Sequence, residues 1–257
     1  MRLTALTENT TELGFPVEHG LSLYIETGNR KILFDSGQSA LFAENAAKLE
    51  IDLGRVDFAV LSHGHYDHGG GLKKFLEINT HAPVYVSRYA FEPHFNAEGK
   101  YIGLDKSLAD NPRIVFTGGA YKICSGAELY SREGRETLFK TSAFGLKAER
   151  NGKIITDDFR HEHYLMIVEN GRKVLFSGCS HSGILNIVNW FKPDVLVGGF
   201  HFFKLSPGEE LESYTRLLDK TNARYYTCHC TGAEQYRFMK TIMPRLRYIS
   251  TGQSIEL

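Results

Sequence analysis

The chain has no net charge to spend on a partner: 30 Lys and Arg residues offset 30 Asp and Glu over 257 residues. Such a balance creates no field to gather nucleic acid or an anionic membrane, and neither is expected to bind. No apolar run approaches the roughly 20 residues needed to span a bilayer. The opening residues, Met1 to Asn9 (MRLTALTEN), lack the apolar core of a secretory signal, so a cytoplasmic location is expected. Cysteine is scarce: the four present (Cys124, Cys179, Cys228 and Cys230) are too few for a disulfide scaffold at this length. Cys228 and Cys230 stand one residue apart and miss the two-residue gap of a zinc knuckle. A phosphate-cradling glycine loop of the P-loop kind is also missing.

Histidine is what the chain does have, 11 in all, and it is concentrated. Ser62 to Gly71 reads SHGHYDHGGG, immediately after the apolar run Phe58-Ala59-Val60-Leu61. A buried strand running into a glycine-flanked loop can aim alternate side chains at one spot, and His63 and His65 have the spacing for it. Asp67 and His68 can then turn to a second spot nearby. Imidazole and carboxylate are the ordinary ligands of divalent transition metals, so the loop predicts a metal site.

In chain order, Leu21 to Phe34 reads as a hairpin turning at Gly28-Asn29-Arg30, and 41 to 49 as a helix. Strand 58–61 carries the histidine loop, a short helix covers 72–78, and 83–86 is a further strand, the β-α-β rhythm of an α/β sheet. Residues 88–111 and 131–160 break the rhythm and read as pocket-forming insertions into one domain spanning 1–257. Between them lie strands at 113–116, 122–124 and 128–130. A second hairpin, 164–176, ends in Ser177-Gly178-Cys179-Ser180-His181. A helix at 184–191, a strand at 195–197 ending in His201, and a helix capped by Ser206 and Pro207 follow. Strand 225–227 runs into Cys228-His229-Cys230, then a helix reaches Met243. Four strands thus end in a histidine-bearing turn, at His63, His181, His201 and His229. That is more donors than one ion needs, which suggests two ions roughly 3.5–4 Å apart sharing a hydroxide.

The HxHxDH loop resembles the signature of the metallo-β-lactamase superfamily. The Asp35-Ser36-Gly37 turn, the Gly178-Cys179 turn and the final histidine follow in that family's order. The segments SGCSHSGILNI (177–187), GGFH (198–201) and HCTG (229–232) are similar to the subgroup labelled 7,8-dihydropterin-6-methyl-4-(β-D-ribofuranosyl)-aminobenzene-5′-phosphate synthase-like. The resemblance implies an α/β fold, a four-layer αββα sandwich. It also implies a split of ligands, His63, His65 and His181 on one ion and Asp67, His68 and His229 on the other. Two departures matter. Cys179 stands where most of the family has a bridging aspartate; a thiolate there would favour zinc over iron or manganese, while a buried inert cysteine is the plainer alternative. The third ligand of the first ion usually precedes the hairpin, where His161 and His163 lie, so either His161 or His181 could fill it, with His161 otherwise a substrate contact. His201 is expected in the pocket, holding a phosphate or carboxylate. The expected function is hydrolysis of an ester or phosphoester-type small molecule by a dinuclear, zinc-containing centre, with Asp67 and His201 as catalytic groups. The alternatives are a transferase joining an aminobenzoate-like acceptor to a phosphoribosyl donor, and a non-catalytic metal or redox sensor. Oligomeric state is not legible.

Overall fold

The computed structural model describes residues 1–28 and 30–257. Two seven-stranded sheets face each other. The first runs, edge to edge, Ser254–Glu256, Arg2–Thr7, Ser22–Thr27, Arg30–Phe34, Phe58–Val60, Val84–Ser87, Ile114–Thr117. The second runs Arg247–Tyr248, Arg224–Thr227, Val195–Gly198, Arg172–Ser177, His163–Glu169, Ala127–Ser131, Ala120–Cys124. Each sheet is half hairpin and half parallel. Leu23 pairs with Phe34 and Thr27 with Arg30 across the first hairpin, whose turn residue Asn29 lies outside the described residues. Tyr164 pairs with Ser177 and Glu169 with Arg172 across the second.

Leu3, Leu23, Phe34 and Val60 of one sheet meet Leu129, Leu165, Phe176 and Val197 of the other in a shared core, all at most 1% exposed. The Phe34 and Phe176 rings lie 5.9 Å apart across it. Each such side chain contributes about 1.5–3 kcal/mol by leaving water. Helices Leu41–Lys48 and Leu72–Ile78 cover the outer face of the first sheet through Phe42 and Phe75. Ile184–Phe191, Glu209–Asp219 and Ala233–Ile242 cover the second through Ile187, Leu211 and Met239. The layers are helix, sheet, sheet, helix, as expected. Strands buried on both faces, such as Phe58–Val60 and Val195–Gly198, have no alternating pattern because neither face meets water.

Three details differ from the sequence expectation. The helix expected to be capped by Ser206 and Pro207 starts later, at Glu209 after Gly208, with Glu209, Glu210 and Glu212 in its first turn where the helix dipole favours anions. The polar stretch 131–160 contains a hairpin, Lys147–Arg150 with Lys153–Thr156. That hairpin pairs with His94–Phe95, so the two insertions join in one three-stranded sheet beside the main sandwich. No described helix is long and apolar enough to cross a membrane.

Candidate metal centre

The loops after Phe58–Val60, Arg172–Ser177, Val195–Gly198 and Arg224–Thr227 meet at one edge of the sandwich. Their packing is close enough that a Cβ at Gly178 would strike the Ser62 hydroxyl, so only glycine lets the two loops touch. The backbone is bent out of its usual range here: Asp35, Ser180, His201 and His229 have φ of 60, 59, 57 and 49°. Non-glycine residues hold such angles only where the surroundings enforce them.

Asp35 is the hinge of the first half. It is 1% exposed and accepts hydrogen bonds from the Ser62 amide, the Ser62 hydroxyl and His68 Nδ1, each at 2.7 Å. Having given its proton to Asp35, the Ser62 hydroxyl accepts from His63 Nδ1 at 2.8 Å. In the second half, His229 Nδ1 donates to Asn9 Oδ1 at 2.8 Å, while Glu8 receives the His229 amide at 3.1 Å. His63, His68 and His229 are therefore each held from behind through Nδ1, which leaves Nε2 as the ring atom that faces the cavity.

The result is a contradiction that a cation resolves. His68 Nε2 and His229 Nε2 lie 3.2 Å apart, both with Nδ1 donating elsewhere. Two neutral rings would aim lone pairs at each other. Cys179 Sγ is 3.2 Å from the same His68 nitrogen, and Asp67 Oδ2 is 3.4 Å from His229 Nε2 and 3.8 Å from His68 Nε2. Burial lowers the His68 pKa, but the charges of Asp35 and then Asp67 overcome this and push it up to about 9. Burial would raise the pKa of Asp67; His68, with His19 and His229 close by, overrides this and holds the carboxylate well below its ordinary range.

The His63, His65 and His181 rings gather beside this group, with centroids 4.6, 4.9 and 5.1 Å apart. The Nε2 atoms of His63 and His65 and both nitrogens of His181 are buried without hydrogen-bond partners. Burial first, then neighbouring imidazoles, holds His63 and His181 well below the usual histidine range, so both are neutral and ready to ligate. His181 is stacked on Phe159 at 4.4 Å, and its amide and that of Ser182 are received by the buried Glu162 carboxylate. Cys179 lies between the groups, with Sγ among the His63–His181 donors, the His68–His229 donors and the His201–Cys230 pair. Burial drives the Cys179 thiol up; it would do the same to Cys230, but Cys179, His201 and His229 beside that sulfur bring it down. Neutral imidazoles, an ionised carboxylate and unpartnered nitrogens make this donor set fit for transition-metal ions.

Of the sequence-derived site residues, His63, His65, Asp67, His68, Cys179, His181, His201 and His229 all reach this edge. His161 does not meet the expected substrate contact: it is fully enclosed, with Gly64 N–H donating to Nδ1 and Asp157 at Nε2. His163, in the same stretch, belongs to none of the ligand-type groups among the described residues; its Nδ1 is buried without a partner and its pKa is lowered to about 4, mainly by burial. Asp35 was read only as part of its turn, and four supporting residues escaped the sequence reading: Glu8, Asn9, His19 and Glu162. His19, half exposed, lies 3.3 Å from Asp67 Oδ2, which raises its pKa through that contact. None carries a local motif; each acts through a partner far along the chain.

Two cavities meet at the centre. A cleft of about 260 Å³ is floored by His65, Asp67, Cys179, His181 and His229. An adjoining cavity of about 280 Å³ has aromatic walls, Phe139, Phe144, Phe200, Phe202 and Tyr214. Phe144, His181 and His201 belong to both, and both ring nitrogens of His201 are without partners.

The profile of the metallo-beta-lactamase superfamily matches residues 16–229. An uncharacterized protein of Methanocaldococcus jannaschii is 29% identical over 246 residues, covering 88% of this chain and 89% of its own. From the same organism, 7,8-dihydropterin-6-methyl-4-(beta-D-ribofuranosyl)-aminobenzene-5′-phosphate synthase is 29% identical over 269 aligned residues, covering 93% and 90%. Among solved structures, a metal-dependent hydrolase of the beta-lactamase superfamily superposes with a TM-score of 0.86 at 29% identity, covering 100% and 99%. Zinc-bound PqqB from Methylobacterium extorquens, 14% identical with a TM-score of 0.61 over 100% of both chains, shares the fold.

Proposed function

The chain belongs to the metallo-β-lactamase superfamily, and on that premise we propose that it is a metal-dependent hydrolase of a small ester or phosphoester. The observation that carries this reading is the pair of facing Nε2 atoms of His68 and His229, 3.2 Å apart with both Nδ1 atoms already donating. Asp67, His68 and His229 would hold one divalent ion; His63, His65 and His181 the other, with the Cys179 thiolate beside both. Zinc is the expected metal for a donor set with that sulfur. When bound, such ions supply hydroxide at neutral pH and polarise the scissile carbonyl or phosphoryl group.

The chain's own residues do the rest. Asp35, Asn9 and the Ser62 hydroxyl keep the ligand rings from turning, so little reorganisation is left for the reaction. His201, on the wall shared by both cavities, is placed to hold the substrate's anionic oxygen. The aromatic cavity would take an apolar part of the substrate and keep water from it. The test is metal content by mass spectrometry together with turnover of aryl esters and aryl phosphodiesters. Two equivalents and metal-dependent turnover, both lost in His63→Ala and Asp67→Ala, are expected; a protein that binds no metal, or an alanine variant with full activity, refutes the reading.

A second reading is favoured by one observation, the aromatic cavity beside the centre in a chain 29% identical to a synthase along most of both lengths. In it, the chain transfers a phosphoribosyl group to an aminobenzoate-like acceptor, the ring lying among Phe144, Phe200 and Phe202. Pyrophosphate released from phosphoribosyl pyrophosphate only when an aromatic acid is added would move the assignment from hydrolysis to transfer.

A further inference from the structure

A second group of ligand-type residues lies behind the centre: His65, His94, Asp157 and His161, at most 4% exposed, with donor atoms mutually within 4.8 Å. Three imidazoles and a carboxylate have the composition of a closed zinc site. The hydrogen bonds decide otherwise. The Gly64 amide donates to His161 Nδ1 at 2.9 Å, so that nitrogen holds no proton and the ring's proton is on Nε2. His161 Nε2 lies 3.1 Å from Asp157 Oδ2 and donates to it, which leaves His161 no lone pair for a metal. His94 Nδ1 is also 3.1 Å from that oxygen, and an ionised carboxylate only accepts, so the His94 proton is on Nδ1. His94 Nε2 is therefore a bare lone pair, fully buried and without a partner.

Its neighbour is His65. The two rings are 5.4 Å apart and nearly perpendicular, at 77°. His65 lines the cleft, and its Nε2 is enclosed and, like that of His94, without a partner. The fit is tight: a Cβ at Gly64 would strike the Ala90 carbonyl oxygen, at 2.2 Å, and come within 3.0 Å of His94 Nε2, so the HxHxDH loop lies directly against the segment that carries His94.

The two Nε2 atoms are not hydrogen-bonded to each other in the structure; we infer that His94 is a positioning residue for His65, its Nε2 being the acceptor that the His65 Nε2 proton takes when His65 presents Nδ1 to the metal cleft. Two donor chains then converge on Asp157, one from the Gly64 amide through His161 and one from His65, the residue next to Gly64, through His94. They tie both insertions to the ligand loop, since His94 comes from the first and Asp157 from the second. This rests on the reading of His65 as a ligand.

The test compares wild type with His94→Phe, which keeps a ring but removes the acceptor, and His94→Gln, whose amide oxygen can accept again. In metal-free protein, the nitrogen-15 spectrum of the His65 ring reports which nitrogen carries the proton, and zinc affinity is measured by chelator competition. Wild type is expected to show the Nε2-protonated form. His94→Phe should lose that preference and bind zinc 10–100-fold more weakly, the range for losing such a partner, with a lowered unfolding midpoint because buried Asp157 also loses the His94 Nδ1 donor; His94→Gln should recover most of the tautomer preference and of the affinity. Wild-type tautomer and affinity in His94→Phe would overturn the inference. So would a third zinc equivalent in wild type that disappears in Asp157→Asn, because the group would then hold an ion of its own. A wild type that binds no zinc while showing the expected tautomer would sink the hydrolase reading and leave the His94 contact standing.

Discussion

Asp35→Asn is the substitution that separates a built metal cradle from a merely polar core. One of its oxygens takes two protons, those of the Ser62 hydroxyl and His68 Nδ1, both at 2.7 Å. Asparagine can keep the Ser62 amide on its carbonyl oxygen, but its NH₂ faces the other two groups as a donor facing donors. In the metal-free protein, burial opposes the His68 charge while Asp35, then Asp67, sustain it, raising the pKa from 6.5 to about 9. At about 1.4 kcal/mol per unit, that shift contributes about 3 kcal/mol to folding. Because the folded-state pKa lies above the unfolded one, the contribution is complete below about pH 6.5 and disappears as pH rises toward 9. Urea unfolding of chelator-stripped wild type at pH 6, 7.5 and 9 should therefore show stability falling by up to about 3 kcal/mol from this group. Asp35→Asn should lose more than half of that slope and start lower, by about 1–3 kcal/mol for the stranded donor. Zinc binding displaces the same proton, so affinity should rise with pH in wild type and be 10–100-fold weaker in the variant. A variant with the wild-type pH slope and wild-type zinc affinity would refute the account of Asp35 as the group that sets the His68 ring.

Glu162→Gln should weaken zinc binding without touching a ligand, because Glu162 receives the amides of His181 and Ser182 at 2.6 and 3.0 Å; a loss of about 1–3 kcal/mol in thermal or urea stability would accompany it. Leu165→Ala, in the core between the sheets and 0% exposed, should cost about 2–5 kcal/mol in urea unfolding with an unchanged metal count. Phe144→Ala should raise KM more than it lowers kcat for any substrate that turns over, since Phe144 walls both cavities and touches no ligand; an equal loss in both would place it in the chemistry instead.

Local chemistry in the sequence was enough to find the residues that gather at the candidate centre. His63, His65, Asp67 and His68 lie in six consecutive residues, and the turns bearing His181, His201 and His229 follow strands whose apolar runs are plain. The choice between His161 and His181 was not legible, because spacing places both near the hairpin while only three-dimensional partners show which ring has nitrogens to offer. His94 and Asp157 were missed for a related reason. They lie 63 residues apart in sequence, His94 on a two-residue strand and Asp157 just past a four-residue one, both too short to carry a period. The Lys147–Thr156 hairpin shows the same blindness, with mostly exposed side chains on its second strand giving no alternation to read. Conversely, Arg2–Thr7 went unread as a strand because it is buried almost throughout. Helix starts depend on backbone geometry, and Ser206-Pro207 had the right residues two positions too early.

The hold of Glu8 and Asn9 on His229 has a consequence for how the chain matures. Residues some 220 positions apart must meet before the last ligand is fixed. A chain folded only as far as the strands Arg2–Thr7 to Ile114–Thr117 already holds His63, His65, Asp67 and His68 but lacks His181, His229 and the edge strand Ser254–Glu256. Such an intermediate can hold an ion only loosely and through a partial set, open to exchange with whatever metal the cell has in excess. On the proposed reading, the metal set would be completed late, when the strand at 224–227 docks and the clasp from residues 8 and 9 closes, and expression in media of differing metal supply should change the metal found without changing the fold.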